Sequence, residues 1–212
     1  MFAASRETSL QKRLAYLGIA DFDYLSARVL LRHGLVVTGL AKASDAFEKI
    51  SKLNLILEAK ITRNEDLEPE KVKAYLHNLR ALLADFEARM GVSVGPETHE
   101  YFAMLQEATK RRYPESWSSY KAQLNIPMLD EIYAEFRKVA VQNFPMEERA
   151  RARCFGTFIG DAYTADMIAR IKELGGDSPW DLLAFDNQAL ERLNLDHDRK
   201  APPIPNPNDR SV

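Results

Sequence analysis

The chain has 212 residues, 46% hydrophobic and 28% charged, a balance that excludes wholesale disorder and allows one large domain, or one ordinary domain with an appendage, to bury a core without staples. A formal net charge of -2 exerts no global pull on nucleic acid, so a phosphate-binding role has to rest on a local basic patch. The single cysteine, Cys154, cannot close an intramolecular disulfide, apolar runs such as residues 54–57 are broken by charge before a bilayer is crossed, and the N-terminus has no hydrophobic signal core, so a cytoplasmic protein is expected.

Residues 1–20 start polar, turn apolar at Leu14, Tyr16, Leu17 and Ile19, and read as a short docking turn or helix. Asp21 reads as the N-cap of a first helix, with Phe22, Leu25, Val29 and Arg32 at helical spacing up to the stop at Gly34. After residues 35–37, Thr38 reads as the cap of a long second helix. Its stripe of Leu40, Ala43, Phe47, Ile50, Leu57 and Ile61, widened by Leu53 and Ile56, is broad enough for more than one neighbour and places it at the centre of a bundle. Pro69 follows the acidic stretch 64–68 and opens a third helix through Val72, Leu76, Leu79, Leu83, Phe86 and Met90 to Gly91.

Pro96 opens a fourth helix with Phe102, Leu105 and Ala108 on its buried side, ended by the run Lys110, Arg111, Arg112, Tyr113, Pro114. Residues 125–127 start a fifth, with Leu129, Ile132, Phe136 and Val139, which ends before Pro145. Residues 147–153 read as helical, as do 165–174 and a stretch from Ser178 and Pro179 through Leu193, while Pro202, Pro203, Pro205 and Pro207 mark an extended tail. No strand pairing and no internal repeat is evident. The expected organisation is all-α: an N-terminal segment (1–20), an antiparallel helix bundle (21–144), a helical C-terminal extension (145–195) and a Pro-rich flexible tail (196–212).

Several chemistries lack their residues. There are no Glu-x-x-His pairs for a dimetal bundle, no Gly-rich phosphate loop followed by Lys-Ser or Lys-Thr, and no Cys pair for zinc. No metal or cofactor is expected, and neither conventional nucleotide hydrolysis nor cysteine catalysis is supported.

Residues 23–31, Asp-Tyr-Leu-Ser-Ala-Arg-Val-Leu-Leu, followed by Gly34-Leu35, resemble the first helix of HEPN proteins. Residues 46–52, Ala-Phe-Glu-Lys-Ile-Ser-Lys, are similar to that family's Glu-Lys segment on its second helix, and the matches continue with residues 77–83, His-Asn-Leu-Arg-Ala-Leu-Leu, and with Arg112-Tyr113-Pro114. They fall in the expected order over roughly residues 21–140, which is more specific than any one of them. The resemblance implies an antiparallel bundle of HEPN type, a homodimer, and a role in nucleotide binding, RNA cleavage or a defence module with a partner protein. The ribonuclease branch of the family carries an Arg and, a few residues on, a His near the end of its bundle. This chain lacks the pair there; Arg28 with His33 and Arg192 with His197 have the spacing but lie on the first helix and beyond the matched region.

The candidate ligand-binding residues are His77, Asn78, Lys110, Arg112 and Tyr113. His77 and Asn78 offer an imidazole and an amide to a nucleotide phosphate or base, or else order the bundle through side-chain hydrogen bonds. Lys110 and Arg112 complement the negative end of the fourth helix, and with Tyr113 the same groups can hold a phosphate and stack a base. Glu48 and Lys49, as neighbours, point to different sides of their helix. Trp117 and Trp180 read as packing or interface anchors. The leading expectation is a HEPN-like nucleotide- or RNA-binding and interaction module of a regulatory or defence system. Its rivals are a metal-independent endoribonuclease with a cross-dimer site and a ligand-free structural assembly protein.

Overall fold

The computed structural model describes residues 2–65, 67, 72, 75, 77–110, 125–153 and 189, with side chains from Lys12 onward except at 110, 147, 150 and 151. Its elements are α1 (Phe2–Arg32), α2 (Val36–Arg63), α3 (Leu79–Met90), α4 (Pro96–Lys110), α5 (Ile126–Asn143) and α6 (Met146–Arg153), and no strand occurs among the described residues. The expected all-α bundle is present. No helix among them is long and apolar enough to cross a membrane.

The stops and starts follow local chemistry. Gly34 takes a left-handed φ of 76°, which an L side chain rarely adopts, and ends α1 so that α2 can fold back along it. Close approach in this hairpin needs Gly39, where an added Cβ would lie 2.7 Å from Leu31 Cγ. Asn78 and Asn125 cap α3 and α5, their side-chain oxygens accepting from Ala81 N and Met128 N. Pro96 opens α4 as expected. Three boundaries differ. Helix α2 starts at Val36, two residues ahead of Thr38. The third helix is not continuous from Pro69, because Tyr75 and His77 lie in turns and Asn78 caps a new helix; Pro69 itself is outside the described residues. Helix α1 crosses residue 20 without a break, so Asp21 is no cap.

Helix α2 packs against α1, α3, α4 and α5, the central position its broad stripe implied. Phe47, fully buried, meets Phe102 of α4 at 5.0 Å between ring centroids and Tyr133 and Phe136 of α5 at 5.9 and 6.1 Å. Phe136 in turn stacks on Phe86 of α3 at 4.2 Å. Ile61, expected on the same stripe, is exposed; it lies in the last turn of α2.

Asp21 lies in the middle of α1 and is buried because it is one half of a reciprocal clasp. Residues 21–28 carry Asp-x-x-Tyr-x-x-x-Arg, and residues 130–137 carry the same pattern on α5. Arg28 reaches Asp130 through Nε and Nη2 at 2.6 and 2.8 Å, and Tyr24 donates to the same carboxylate at 2.5 Å. In mirror fashion Arg137 reaches Asp21 through Nε and Nη2 at 2.9 and 3.0 Å, and Tyr133 donates to Asp21 at 2.8 Å. The two tyrosine rings stack between the ion pairs at 4.1 Å and 6°. This short repeat corrects the expectation that the chain has no internal repeat.

All six side chains are buried, with Arg28 and Arg137 at 0% exposure. Forked guanidinium pairing with added tyrosine donors is the geometry that offsets the cost of burying charge. Burial lifts the Asp130 carboxyl above its ordinary value against the opposing pull of Arg28 and Tyr24, and lifts the Tyr133 hydroxyl well above its own. Tyr133 therefore stays a donor. Asp130→Asn should destabilise the protein by about 3–5 kcal/mol, because it strands the Arg28 guanidinium in the interior. Chemical denaturation of wild type and variant measures this; a loss within about 0.5 kcal/mol would place the pair at a solvated surface.

Candidate functional site

On α2 the residues Glu48 and Lys49 diverge, as adjacent helical positions must. Lys49 turns to α1, where it and Lys42 hold the buried carboxylate of Asp23 at 2.5 and 2.9 Å. Glu48 turns toward the segment that precedes α3. Its Oε2 lies 2.6 Å from His77 Nδ1, and its Oε1 accepts from Lys52, one turn along, at 2.6 Å. Glu48 is largely covered, whereas the His77 side chain is 62% exposed. With Nδ1 held by the carboxylate, Nε2 is the ring nitrogen that Glu48 does not engage.

The turn that carries His77 is braced on both sides. Asn78 N donates to Tyr75 O at 2.9 Å, and the Tyr75 hydroxyl bonds to Asp85 of α3. The start of α3 is tied to α4 by a bond from Arg80 N to Gln106 Oε1 at 3.1 Å. Close by, Thr109 Oγ1 on α4 lies 2.7 Å from Ser44 Oγ on α2. The middle of α2, the start of α3 and the end of α4 therefore meet at one end of the bundle.

Of the sequence candidates, His77, Asn78 and the backbone of Lys110, next to Thr109, are brought to this end. The Lys110 side chain, Arg112, Tyr113 and Trp117 lie outside the described residues, as do Cys154 and Trp180. Asn78 spends its side-chain oxygen on Ala81 N. With Leu79 N bonded to His77 O and Leu82 N to Asn78 O, the first turn of α3 has its N–H groups paired within the protein. An anion at this end would meet side chains rather than a helix N-terminus. Arg28, spaced from His33 like a ribonuclease pair, is fully buried against Asp130 while His33 is exposed. The arginine of that pair is a structural one.

Glu48 is the residue that sequence reasoning did not assign to His77. Its signal was weak, because residues 48 and 77 are joined only through the course of the chain between α2 and α3. Tyr16 of α1, half-buried beside this carboxylate, has its hydroxyl pushed up to about 12, first by burial and then by the charge of Glu48. No group of His, Cys, Asp and Glu able to hold a metal ion occurs among the described residues. Comparison with known proteins finds no family model, curated protein or solved structure that matches the chain.

A hydroxyl raised in the folded state adds stability that is intact below its unfolded value of 10 and is lost as pH climbs toward 12. Glu48→Gln should bring the Tyr16 titration part of the way down and leave it above 10, since burial is the larger cause. The tyrosinate absorbance lost in Tyr16→Phe isolates the group. An unchanged titration in Glu48→Gln would remove Glu48 from contact with Tyr16.

Proposed function

We propose that the chain is a HEPN-like module that binds a nucleotide or RNA through the end of the bundle bearing His77, and that it works as a homodimeric binding and interaction component of a regulatory or defence system. The observation that carries this reading is the Glu48–His77 contact. A carboxylate at 2.6 Å from Nδ1 orients the ring and leaves Nε2 as the nitrogen that hydrogen-bonds a phosphate oxygen. Lys110 is the last residue of α4, and Arg112 and Tyr113, which follow it in sequence, bring residue types able to hold a phosphate and stack a base. The ordered run of HEPN-like segments and the helical bundle are consistent with the same reading.

The same contact supports a second reading, metal-independent RNA cleavage. With the proton on Nδ1 donated to Glu48, the Nε2 lone pair accepts a proton from a ribose hydroxyl, and Arg112 of either subunit offsets phosphate charge. Binding and cleavage part on one experiment. Purified protein should retain a nucleotide or single-stranded RNA without cutting it, with affinity that falls as salt rises. His77→Ala should weaken binding by about ten- to a hundredfold, the worth of a charge-assisted hydrogen bond, with an unchanged unfolding midpoint because the side chain is mostly in water. Joint replacement of Lys110 and Arg112 by Ala should flatten the salt dependence. RNA cleavage in the presence of a chelator that disappears in folded His77→Ala would favour the second reading. Neither binding nor cleavage would leave structural assembly.

A further inference from the structure

Two histidines among the described residues pair with carboxylates, and the pairs are built on one plan. His99 of α4 meets Glu87 of α3 through Nε2 at 3.2 Å, and the other oxygen of Glu87 accepts from Val94 N at 2.9 Å. His77 meets Glu48 Oε2 through Nδ1 at 2.6 Å, and the other oxygen of Glu48 accepts from Lys52 Nζ at 2.6 Å. In each pair the imidazole is exposed and the far oxygen of its carboxylate is pinned. The last torsion of a glutamate is soft, so a carboxylate free at one oxygen turns and one held there does not. The pin therefore decides whether the near oxygen stays on the ring.

For Glu87 the pin is a backbone amide in the turn between α3 and α4. For Glu48 it is a side chain, and a buried one. The Lys52 side chain is 7% exposed, whereas Lys42 and Lys49 on the same helix keep 39% and 26% of theirs in contact with solvent. Glu48 and Lys52 stand four residues apart with the glutamate first, the better order on a helix. At a surface that spacing gives a weak pair with no further consequence. Burial changes the matter, because the cost of taking an ammonium out of water is offset only where its partner is well placed and the partner's other lone pairs are met. Those other lone pairs of Glu48 belong to the oxygen that meets His77. Tyr16, beside the same carboxylate, keeps its proton at neutral pH, with its hydroxyl pushed up to about 12, and adds no charge of its own.

We propose that Lys52 is the positioning residue of His77: by holding one oxygen of Glu48 it keeps the other on Nδ1 and fixes the neutral ring as the Nδ1–H tautomer, with the lone pair on Nε2. A carboxylate only accepts, so the ring nitrogen that it meets carries the proton. This inference rests on the Glu48–His77 contact that carries the proposed function, and it names what sets the geometry of that contact. Nitrogen-15 correlation spectra of the imidazoles read the tautomer in the full-length, ligand-free chain, at alkaline pH where ordinary imidazoles are neutral. His77 should show a protonated Nδ1 and a bare Nε2, and His99, engaged through Nε2, the reverse. Lys52→Met, close in length and uncharged, should lower the ratio of Nδ1–H to Nε2–H at His77 by about tenfold or more, the worth of a hydrogen bond to a charged group. His99 should stay as it was. Lys52→Arg should restore the ratio, because a guanidinium can hold the same oxygen, and Lys52→Leu serves if the Met variant unfolds. An unchanged ratio in a folded Lys52→Met or Lys52→Leu chain would overturn the proposal. Glu48→Ala then tells two failures apart: a lowered ratio there keeps the Glu48–His77 contact, and an unchanged one removes the contact and the support of the proposed function with it. A ring fixed as Nδ1–H and released by Lys52→Met, in a chain that binds neither nucleotide nor RNA, would support this inference and count against the binding reading alone.

Discussion

Two buried carboxylates, each held by an arginine and a tyrosine from the other helix, set how α1 and α5 lie against one another. Because Asp21 pairs with Arg137 and Arg28 with Asp130, the helices can only run antiparallel and in one register. A slide of one turn would part both ion pairs and leave their charges in the interior, where each unpaired ion costs several kcal/mol. Apolar packing alone tolerates such slips far better. Specificity of alignment is thus the chief effect of the clasp, and net stability the lesser one.

That alignment governs what the other helices can do. Helix α2 lies between the clasped pair and the shorter α3 and α4, joined to α1 by the Asp23 lysine pair and to the rest through Phe47. Its residues divide by direction: Lys42 and Lys49 toward α1, Phe47 into the centre, Ser44 toward α4 and Glu48 toward the turn before α3. The His77 ring is held from below by Glu48 and from behind by a turn whose own groups are paired. Among the described residues at this end the His77 side chain is 62% exposed. An exposed imidazole oriented by a covered carboxylate is suited to recognising a ligand or moving a proton.

Much of the fold was legible in the sequence because helix ends carry chemical marks. Gly34, Pro96, Asn125 and Pro145 bound their helices at the expected places, and the breadth of the stripe on residues 40–61 placed α2 at the centre, although Ile61 itself is exposed. Asp21 misled because an aspartate before an apolar run is the ordinary mark of a helix start, whereas here it is a buried partner of a residue on a distant helix. The recurrence of Asp-x-x-Tyr-x-x-x-Arg at 21–28 and 130–137 held the clue. The third helix misled for the opposite reason, since apolar periodicity ran on across Tyr75 to Asn78 although the backbone breaks there to cap α3. At the candidate site His77 was legible as a residue but its carboxylate partner was not. Asn78 turned out to serve the backbone.

The proposed function turns on whether a phosphate-bearing ligand touches the protein at His77. Imidazole resonances of the isotopically labelled chain, followed while a single-stranded RNA or a nucleotide is added, address it directly. His33, His77 and His99 are all exposed and serve as internal controls for one another. The His77 signal should move with ligand and saturate while those of His33 and His99 stay in place. Saturable binding that leaves His77 unmoved, or that moves His33 or His99 in its stead, would contradict it.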